Sequence, residues 1–568
     1  MLLCGLKLTH DGGIAVLDGS DLLFSIEMEK LDGSPRYQPL DRLELVEEVL
    51  LREGVHPDEI DTFVVDGWFA AAGESRPLLR VTREGRPATV EVAPYSEVEA
   101  GPGTDPLRRY TFDGLPLGSR TVGYASYHHA TQHLLGSYCT SPFAARGEPA
   151  LVLVWDGGMV PTLYRVDPGP PLRVRSLGGL FPVYGSAFAD FAAQFDPFRQ
   201  AGAPEPAFDE HTMPRNLDVA GKAMAYAALG RDEPDFHPVL GAELARLPLT
   251  FDTGVELGQR VGRDRERLWP GASDADLIAS FQGYLGVRLL TALRDRLAEL
   301  AGTAEADGSA AGPPNLCLAG GCALNIKWNS AIRSSGLVRE IWIPPFPNDS
   351  GAALGTATAE LVHRGGTRLD WSVHRGPVVI PAGAELPGWQ SQPCDTSALA
   401  KVLHETGEPV VVLHGRAELG PRALGGRSIL ATATDAKTKN VLNDIKERED
   451  YRPVAPVCLE DRAPEIFSPG CPDPYMLFDH AMRPGWAERI PAVVHLDGTA
   501  RLQTVNTRQD PFLADVLAAY ERLSGIPVLC NTSANRKGRG FFPSPEAAAQ
   551  WGRTSLIWCE GLLYTRRP

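Results

Sequence analysis

Basic residues are in short supply along this chain: 55 lysines and arginines stand against 71 aspartates and glutamates, a formal net charge of -16. Such a charge repels polyanions, so nucleic acid is not the expected partner. Cysteine is sparse and irregular. The nine thiols are scattered, Cys317 and Cys322 are the closest pair, and no Cys-x-x-Cys occurs. That pattern speaks against a disulfide framework or a zinc ribbon and suits a reducing compartment. Long apolar runs are missing too, because glycine, proline or charge interrupts each candidate span. Residues 1–10 lack the basic start and apolar stretch of a signal peptide. A cytoplasmic protein without a membrane partner is expected.

What is present is an ordinary globular composition, 43% hydrophobic and 22% charged, over 568 residues. That length exceeds what one core serves and predicts two or three domains. The pattern opens with short apolar runs at 2–8, 14–17 and 22–26, separated by His10-Asp11-Gly12-Gly13 and Asp18-Gly19-Ser20-Asp21. These read as strands joined by tight turns. Residues 151–154 lead into Asp156-Gly157-Gly158, and 161–166 return as a strand. The shared plan of strand, Asp-Gly-Gly, strand is what an internal duplication would look like, although Asp-Gly turns also simply recur in hairpins. Between the copies, 77–116 is rich in proline, glycine and charge and reads as an irregular excursion.

Residues 125–138 read as a short helix, which would place His129 and His133 on one face, four residues apart. Imidazole is the commonest metal ligand, but such a pair is also found as satisfied core histidines. Asp156 and Asp349, each beside a glycine-containing turn, strengthen the metal reading. The Glu of a His-Glu-x-x-His peptidase is absent. Further helices are predicted from 221, ending at Gly230, and over 274–300, followed by a loop at 303–314. The strand at 316–319 runs into Gly320-Gly321 and a helix start near Asn325, a junction that suits either a phosphate or a plain tight turn.

Periodicity fades from 363 to 394, which places a domain boundary near Ala382: residues 1–380 and 381–568. Beyond it, Arg422, Arg427, Lys446, Arg452 and Arg501 accumulate in motifs rich in glycine, hydroxyl and amide groups. In so acidic a chain they suggest a pocket for a multiply charged anion, with surface salt bridging as the alternative.

Three motifs occur in order: GPRALGGRSIL at 420–430, DGTARLQTV at 497–505 and NTSAN at 531–535. With them the chain resembles, over nearly its whole length, the O-carbamoyltransferases of antibiotic and nodulation-factor biosynthesis. The resemblance implies an α/β and α+β architecture. Its N-terminal part would be an actin-like ATPase domain (a duplicated ribonuclease H-like fold), and its C-terminal part a YrdC-like domain similar to threonylcarbamoyl-AMP synthases. It implies that the C-terminal domain joins carbamoyl phosphate and ATP, with Mg2+, into carbamoyl adenylate. The N-terminal domain would then move the carbamoyl group to a hydroxyl of a small molecule.

Carried over residue by residue, the resemblance places iron ligands at His129, His133, Asp156 and Asp349, a set that suits Fe(II) or Mn(II) and permits Zn(II). His10 becomes the base that activates the acceptor hydroxyl. Arg422, Lys446, Arg452, Arg501 and Ser533 become the carbamoyl phosphate and ATP phosphate contacts. Gly221, Gly320, Gly321 and Asn325, with Arg427 and Asn531 in the C-terminal domain, become further nucleotide contacts. Two places depart from the family pattern: Glu27-Met28-Glu29-Lys30 followed by Pro35-Arg36-Tyr37, closer to the cephem-type members, and Ala534 in place of phenylalanine. They bear on the acceptor pocket, as do the loops at 77–116 and 197–213. The rival readings are a threonylcarbamoyl-type transferase acting on tRNA, which would need a basic surface, and a nucleotide-binding regulatory protein with a decayed site. The oligomeric state is open, a homodimer included.

Overall fold

A computed structural model describes residues 1–71, 74–117, 120–199, 216–306, 312–382 and 386–567. The chain divides into two compact units: Met1–Ser25 with Pro39–Trp371, and Ile26–Gln38 with Ser372–Pro568. The second unit therefore includes an early segment that the boundary expected near Ala382 assigns to the first. Among the described residues, no helix is long and apolar enough to cross a membrane.

In the first unit, β1 (Leu2–Lys7), β2 (Gly13–Asp18), β3 (Asp21–Glu27) and β4 (Ile60–Asp66) follow the apolar runs of the sequence. The stretch expected to be irregular instead holds a hairpin of β5 (Leu78–Arg83) and β6 (Arg86–Glu91). Its turn is Glu84-Gly85, both at positive φ (47° and 73°), as a two-residue hairpin turn requires. The alternating Leu79, Val81 and Val90 are buried and supply the reason to pair.

β7 (Tyr110–Leu117) and β8 (Arg120–Tyr127) complete a six-stranded sheet of order β3-β2-β1-β4-β8-β7. Residues 125–127, expected in a helix, belong to β8, where Ala125 to Tyr127 pair in parallel with Val64 to Asp66 of β4. The helix starts at His129 and runs to Cys139.

The second sheet consists of β9 (Ala150–Val154), β10 (Thr162–Asp167), β11 (Arg173–Gly179), β12 (Leu316–Ala319) and β13 (Ile341–Trp342), in the order β11-β10-β9-β12-β13. Its β9 is antiparallel to β10 and parallel to β12, just as β1 is antiparallel to β2 and parallel to β4. The two sheets thus repeat one plan. The expected helix from 274 continues past Gly302 to Ala306, so the loop foreseen at 303–314 begins as helix, and 307–311 lie outside the described residues. Most of the loop at 197–213 also lies outside them.

The second unit holds β14 (Trp389–Pro393), β15 (Val410–Leu413), β16 (Arg427–Thr432), β17 (Ala455–Leu459), the short β18 (Phe467–Ser468), β19 (His480–Met482) and β20 (Thr499–Ala500), then β21 (Gln503–Val505), β22 (Val528–Ser533), β23 (Leu556–Cys559) and β24 (Leu562–Arg566). Eight of them form one sheet, β14-β24-β23-β15-β16-β22-β17-β21. β15 is fully buried, which accounts for its unbroken Val-Val-Val-Leu run. Helices Thr396–Thr406 and Pro511–Ser524 pack on each other beside this core and share it through Leu399, Leu403, Leu513 and Leu517.

Segment Ile26–Gln38 is tied into the second unit by its polar groups. The buried Lys30 ammonium donates to Glu27 Oε1 (2.6 Å) and to the carbonyls of Glu418 and Gly420 (2.7 and 2.5 Å), while Gly420 N–H donates to Glu27 Oε1. Backbone bonds Arg36 N to Gly538 O and Gly540 N to Ser34 O add a second attachment.

Candidate functional sites

The first unit gathers its polar groups where strands end. Lys7 closes β1, Asp66 closes β4, His129 follows β8, and Asp156 follows β9. Carboxyl ends of neighbouring parallel strands open a crevice between their connections, the usual place for a site in such sheets. The backbone of Gly320-Gly321 and the turn Asp349–Gly351 add the remaining walls.

One donor atom each from His129, His133, Asp156 and Asp349 converge, all within 4.8 Å of one another. The two Nε2 atoms are 3.2 Å apart, and Asp349 Oδ1 lies 3.3 Å from each. Asp156 Oδ1 is 3.7 Å from His133 Nε2. Around an ion with bonds of about 2.1 Å, tetrahedral ligand atoms would stand roughly 3.4 Å apart, so the spacing fits. The charge fits too. The Lys7 ammonium meets Asp66 and Asp349 while Asp156 joins at the imidazoles, so carboxylates outnumber the ammonium and a divalent cation would offset the excess. Burial opposes the charge on Asp349, but Lys7, His129 and His10 hold its carboxyl well below the usual range.

The ligands are themselves held. Asp156 accepts from Tyr95 Oη (2.7 Å) and from Gly321 N–H (2.7 Å). Gly320 stands at φ +88°, and a Cβ there would meet Trp155 O at 2.3 Å, so only glycine lets the two backbones approach. Helix Ala352–His363 lies against the histidine helix through small residues, Gly355 facing Gly136 and Gln132.

His10 is 8% exposed. Its Nδ1 contacts Asp11 Oδ2 at 2.9 Å and its Nε2 lies 3.5 Å from Asp349 Oδ2, with Trp68 against the ring. A proton on Nδ1 directed to Asp11 leaves the Nε2 lone pair free, the arrangement a base requires. Of the expected nucleotide contacts here, Gly321 spends its N–H on Asp156, and Asn325 caps helix Ile326–Ser334 through Lys327 N and Trp328 N. Gly221 lies within helix Val219–Tyr226 with open space at its Cα.

In the second unit, loop 418–427 is built around Glu418. Fully buried, it accepts the N–H groups of Leu424, Gly426 and Arg427 on one oxygen (2.6, 2.8 and 3.0 Å). The Arg427 guanidinium, expected at the nucleotide, instead donates to four backbone carbonyls: His414, Gly426, Pro377 and Gly415. It is 2% exposed and structural. Asn531 likewise spends its amide N–H groups on Ala423 O and Gln503 Oε1, although its buried Oδ1 has no partner.

Arg422, Lys446, Arg452 and Arg501 do come together, joined by Arg36 and Arg448, which no motif marks as anion contacts. Burial pulls Arg422 down to about 10, and its neighbours Arg36 and Arg452 add to that. Burial and the charges of Arg452 and Arg501 bring Arg448 to about 9. Arg501 and Lys446 are lowered well below their ordinary values by the same two causes. Lys446 donates to Ser533 O, Asn535 O and Asn535 Oδ1 (2.7, 2.5 and 2.5 Å), and Ser533 Oγ donates to Asn535 Oδ1. Among the described residues the acids in reach are Asp473 beside Arg422 and Arg501, Glu449 beside Arg448 and Arg452, and Glu29 beside Arg36. Buried nitrogens of Arg422 (Nε), Arg448 (Nε, Nη2) and Arg501 (Nε) have no hydrogen-bond partner among the described residues. A set of buried guanidiniums that repel one another and keep donors unsatisfied is arranged for an anion.

Comparison with known proteins agrees with two specialised units. The carbamoyltransferase N-terminus model matches residues 2–101 and 119–358, and the carbamoyltransferase C-terminus model matches 400–559. The chain belongs to the carbamoyltransferase family and is an enzyme of that type. Nodulation protein U of Rhizobium tropici is 45% identical over 582 residues, covering 100% of this chain and 96% of its own. The 3'-hydroxymethylcephem-O-carbamoyltransferase of Streptomyces clavuligerus is 32% identical over 548 residues, covering 95% and 94%. Over the compared lengths, identity is thus higher to this nodulation protein. A solved structure of T. kodakarensis HypF covers 64% of this chain and 47% of its own at 12% identity, with a TM-score of 0.28, too loose to bear on the fold.

Proposed function

We propose that the chain is an ATP-dependent O-carbamoyltransferase: it makes carbamoyl adenylate from carbamoyl phosphate and ATP, then transfers the carbamoyl group to a hydroxyl of a small-molecule natural product. The observation that carries this reading is the buried cationic cluster of the second unit, with its unpaired guanidinium donors in a chain of net charge -16. A natural-product acceptor is supported by the relatives, one of which is named for a hydroxymethyl cephem. The repeated sheet plan supports an actin-like reading of the first unit, and the YrdC-like reading of the second rests on the family resemblance.

Water hydrolyses the P–O bond of carbamoyl phosphate to give carbamate and inorganic phosphate; the carbamate oxygen then attacks the ATP α-phosphorus, forming the new P–O bond as pyrophosphate leaves. Arg422, Arg448, Arg452, Arg501 and Lys446 neutralise the charge that builds on the phosphoryl oxygens, alongside the Mg2+ that accompanies ATP. In the transfer step the acceptor oxygen attacks the carbamoyl carbon, AMP leaves, and His10 Nε2 takes the hydroxyl proton while Asp11 holds Nδ1. His129, His133, Asp156 and Asp349 would hold the divalent ion, iron(II) by family resemblance, which supplies a Lewis acid when bound.

Mass spectrometry on mixtures of protein, ATP, carbamoyl phosphate and a panel of decarbamoylated metabolites tests the reading. Lys446→Ala should abolish carbamoyl adenylate formation. His10→Asn should leave it intact and stop transfer; normal transfer by that variant would remove His10 from the role of base.

A further inference from the structure

Two buried side chains just outside the ligand quartet have an arrangement that the transfer chemistry does not itself require. Lys7 is 1% exposed, at the last position of β1. Its ammonium lies 2.9 Å from Asp349 Oδ2 and 3.0 Å from Asp66 Oδ2, with the Trp68 ring centroid 4.0 Å away. Asp66, at the last position of β4, places the same Oδ2 2.7 Å from His129 Nδ1. β1 and β4 are adjacent parallel strands, so their register fixes the pair.

The consequences follow atom by atom. A carboxylate oxygen at 2.7 Å from Nδ1 accepts a hydrogen bond, so the His129 proton resides on Nδ1 and the lone pair on Nε2. Nε2 is the nitrogen that faces His133, Asp156 and Asp349. Likewise, Asp349 Oδ2 is ion-paired with Lys7 and lies 3.5 Å from His10 Nε2, while Oδ1 lies 3.3 Å from the Nε2 atoms of His129 and His133. Asp349 therefore has one oxygen for an ion and one for the ammonium.

We infer that Asp66 and Lys7 are positioning residues for the metal: Asp66 sets the tautomer and angle of His129, and Lys7 restricts Asp349 to a single coordinating oxygen. This rests on the metal reading above and goes beyond it, because it assigns how many atoms Asp349 contributes and which residues decide that. Groups that orient metal-binding histidines in this way typically contribute 10–100-fold to affinity.

The test uses the full chain stripped of metal and titrated with Co2+, following both affinity and the visible absorption of the bound ion. Wild type should bind one Co2+. Asp66→Ala should weaken binding about 10–100-fold, whereas Asp66→Asn, whose amide oxygen still accepts from Nδ1, should restore most of the loss. Lys7→Met frees the second oxygen of Asp349, so the Co2+ absorption should lose intensity as the coordination number rises. A structural role alone would leave that spectrum unchanged. Wild-type protein that takes up no Co2+ would defeat the metal reading itself. Wild type that binds while Asp66→Ala binds equally well, or Asp66→Asn that fails to rescue, or Lys7→Met with an unaltered spectrum, would overturn the positioning roles and leave the quartet standing.

Discussion

A guanidinium buried against other guanidiniums opposes the fold that holds it, and Arg448 is the sharpest instance. Its charged neighbours include Arg452 and Arg501, and two of its nitrogens lack a hydrogen-bond partner among the described residues. Replacing it should therefore move stability and ligand binding in opposite directions. Arg448→Gln is expected to raise the urea midpoint of the free protein while weakening carbamoyl phosphate or ATP binding about tenfold, the effect of one charge-assisted hydrogen bond. Calorimetric titration beside a urea melt checks both. Arg422, Lys446, Arg452 and Arg501 were legible because glycine-rich and polar motifs surround them. In the sequence Arg36 stands out only as a departure from the family pattern, and Lys7 and Asp66 look like ordinary ends of apolar strands. Their meaning comes from neighbours distant in the chain, which no spacing rule carries.

Elements position the site through close packing. Helix Ala352–His363 lies against the helix bearing His129 and His133, and a Cβ on Gly355 would meet Gln132 O at 2.3 Å. Backbone cannot yield there as a side-chain tip can. Gly355→Ala should cost about 1–3 kcal/mol of stability. By separating Asp349 from the histidines, it should also lower Co2+ affinity, read in the same titration. The sequence pattern located most strands because alternating burial and turn residues leave a local signature. It read residues 125–127 as helix because their lack of proline says nothing of the partner strand β4, which decides the matter. The β5–β6 hairpin was obscured in another way: proline and charge around it masked four well-placed apolar residues, Leu79, Val81, Val90 and Val92.

Across the whole molecule, an early segment completes a late unit, and one of its groups makes stability depend on pH. Burial, with Glu29 nearby, raises Glu27 from its ordinary 4.5 to about 7, over the opposing pull of Lys30 and the Gly420 N–H. The folded chain then holds this proton more tightly than the unfolded chain between about 4.5 and 7. The stability contribution is fully present below 4.5 and is lost as pH rises through 7. Urea midpoints across that range should show this downward slope, and Glu27→Gln should flatten it.

The placement of Ile26–Gln38 also orders events at the ribosome. Residues that Lys30 and Glu27 grip, at 418 and 420, are synthesised long after the segment has emerged. These contacts of the early segment must wait until the chain has been made past residue 420. A chain cut between residues 371 and 372 would therefore leave its downstream product without the segment that the Glu418 and Gly420 carbonyls hold.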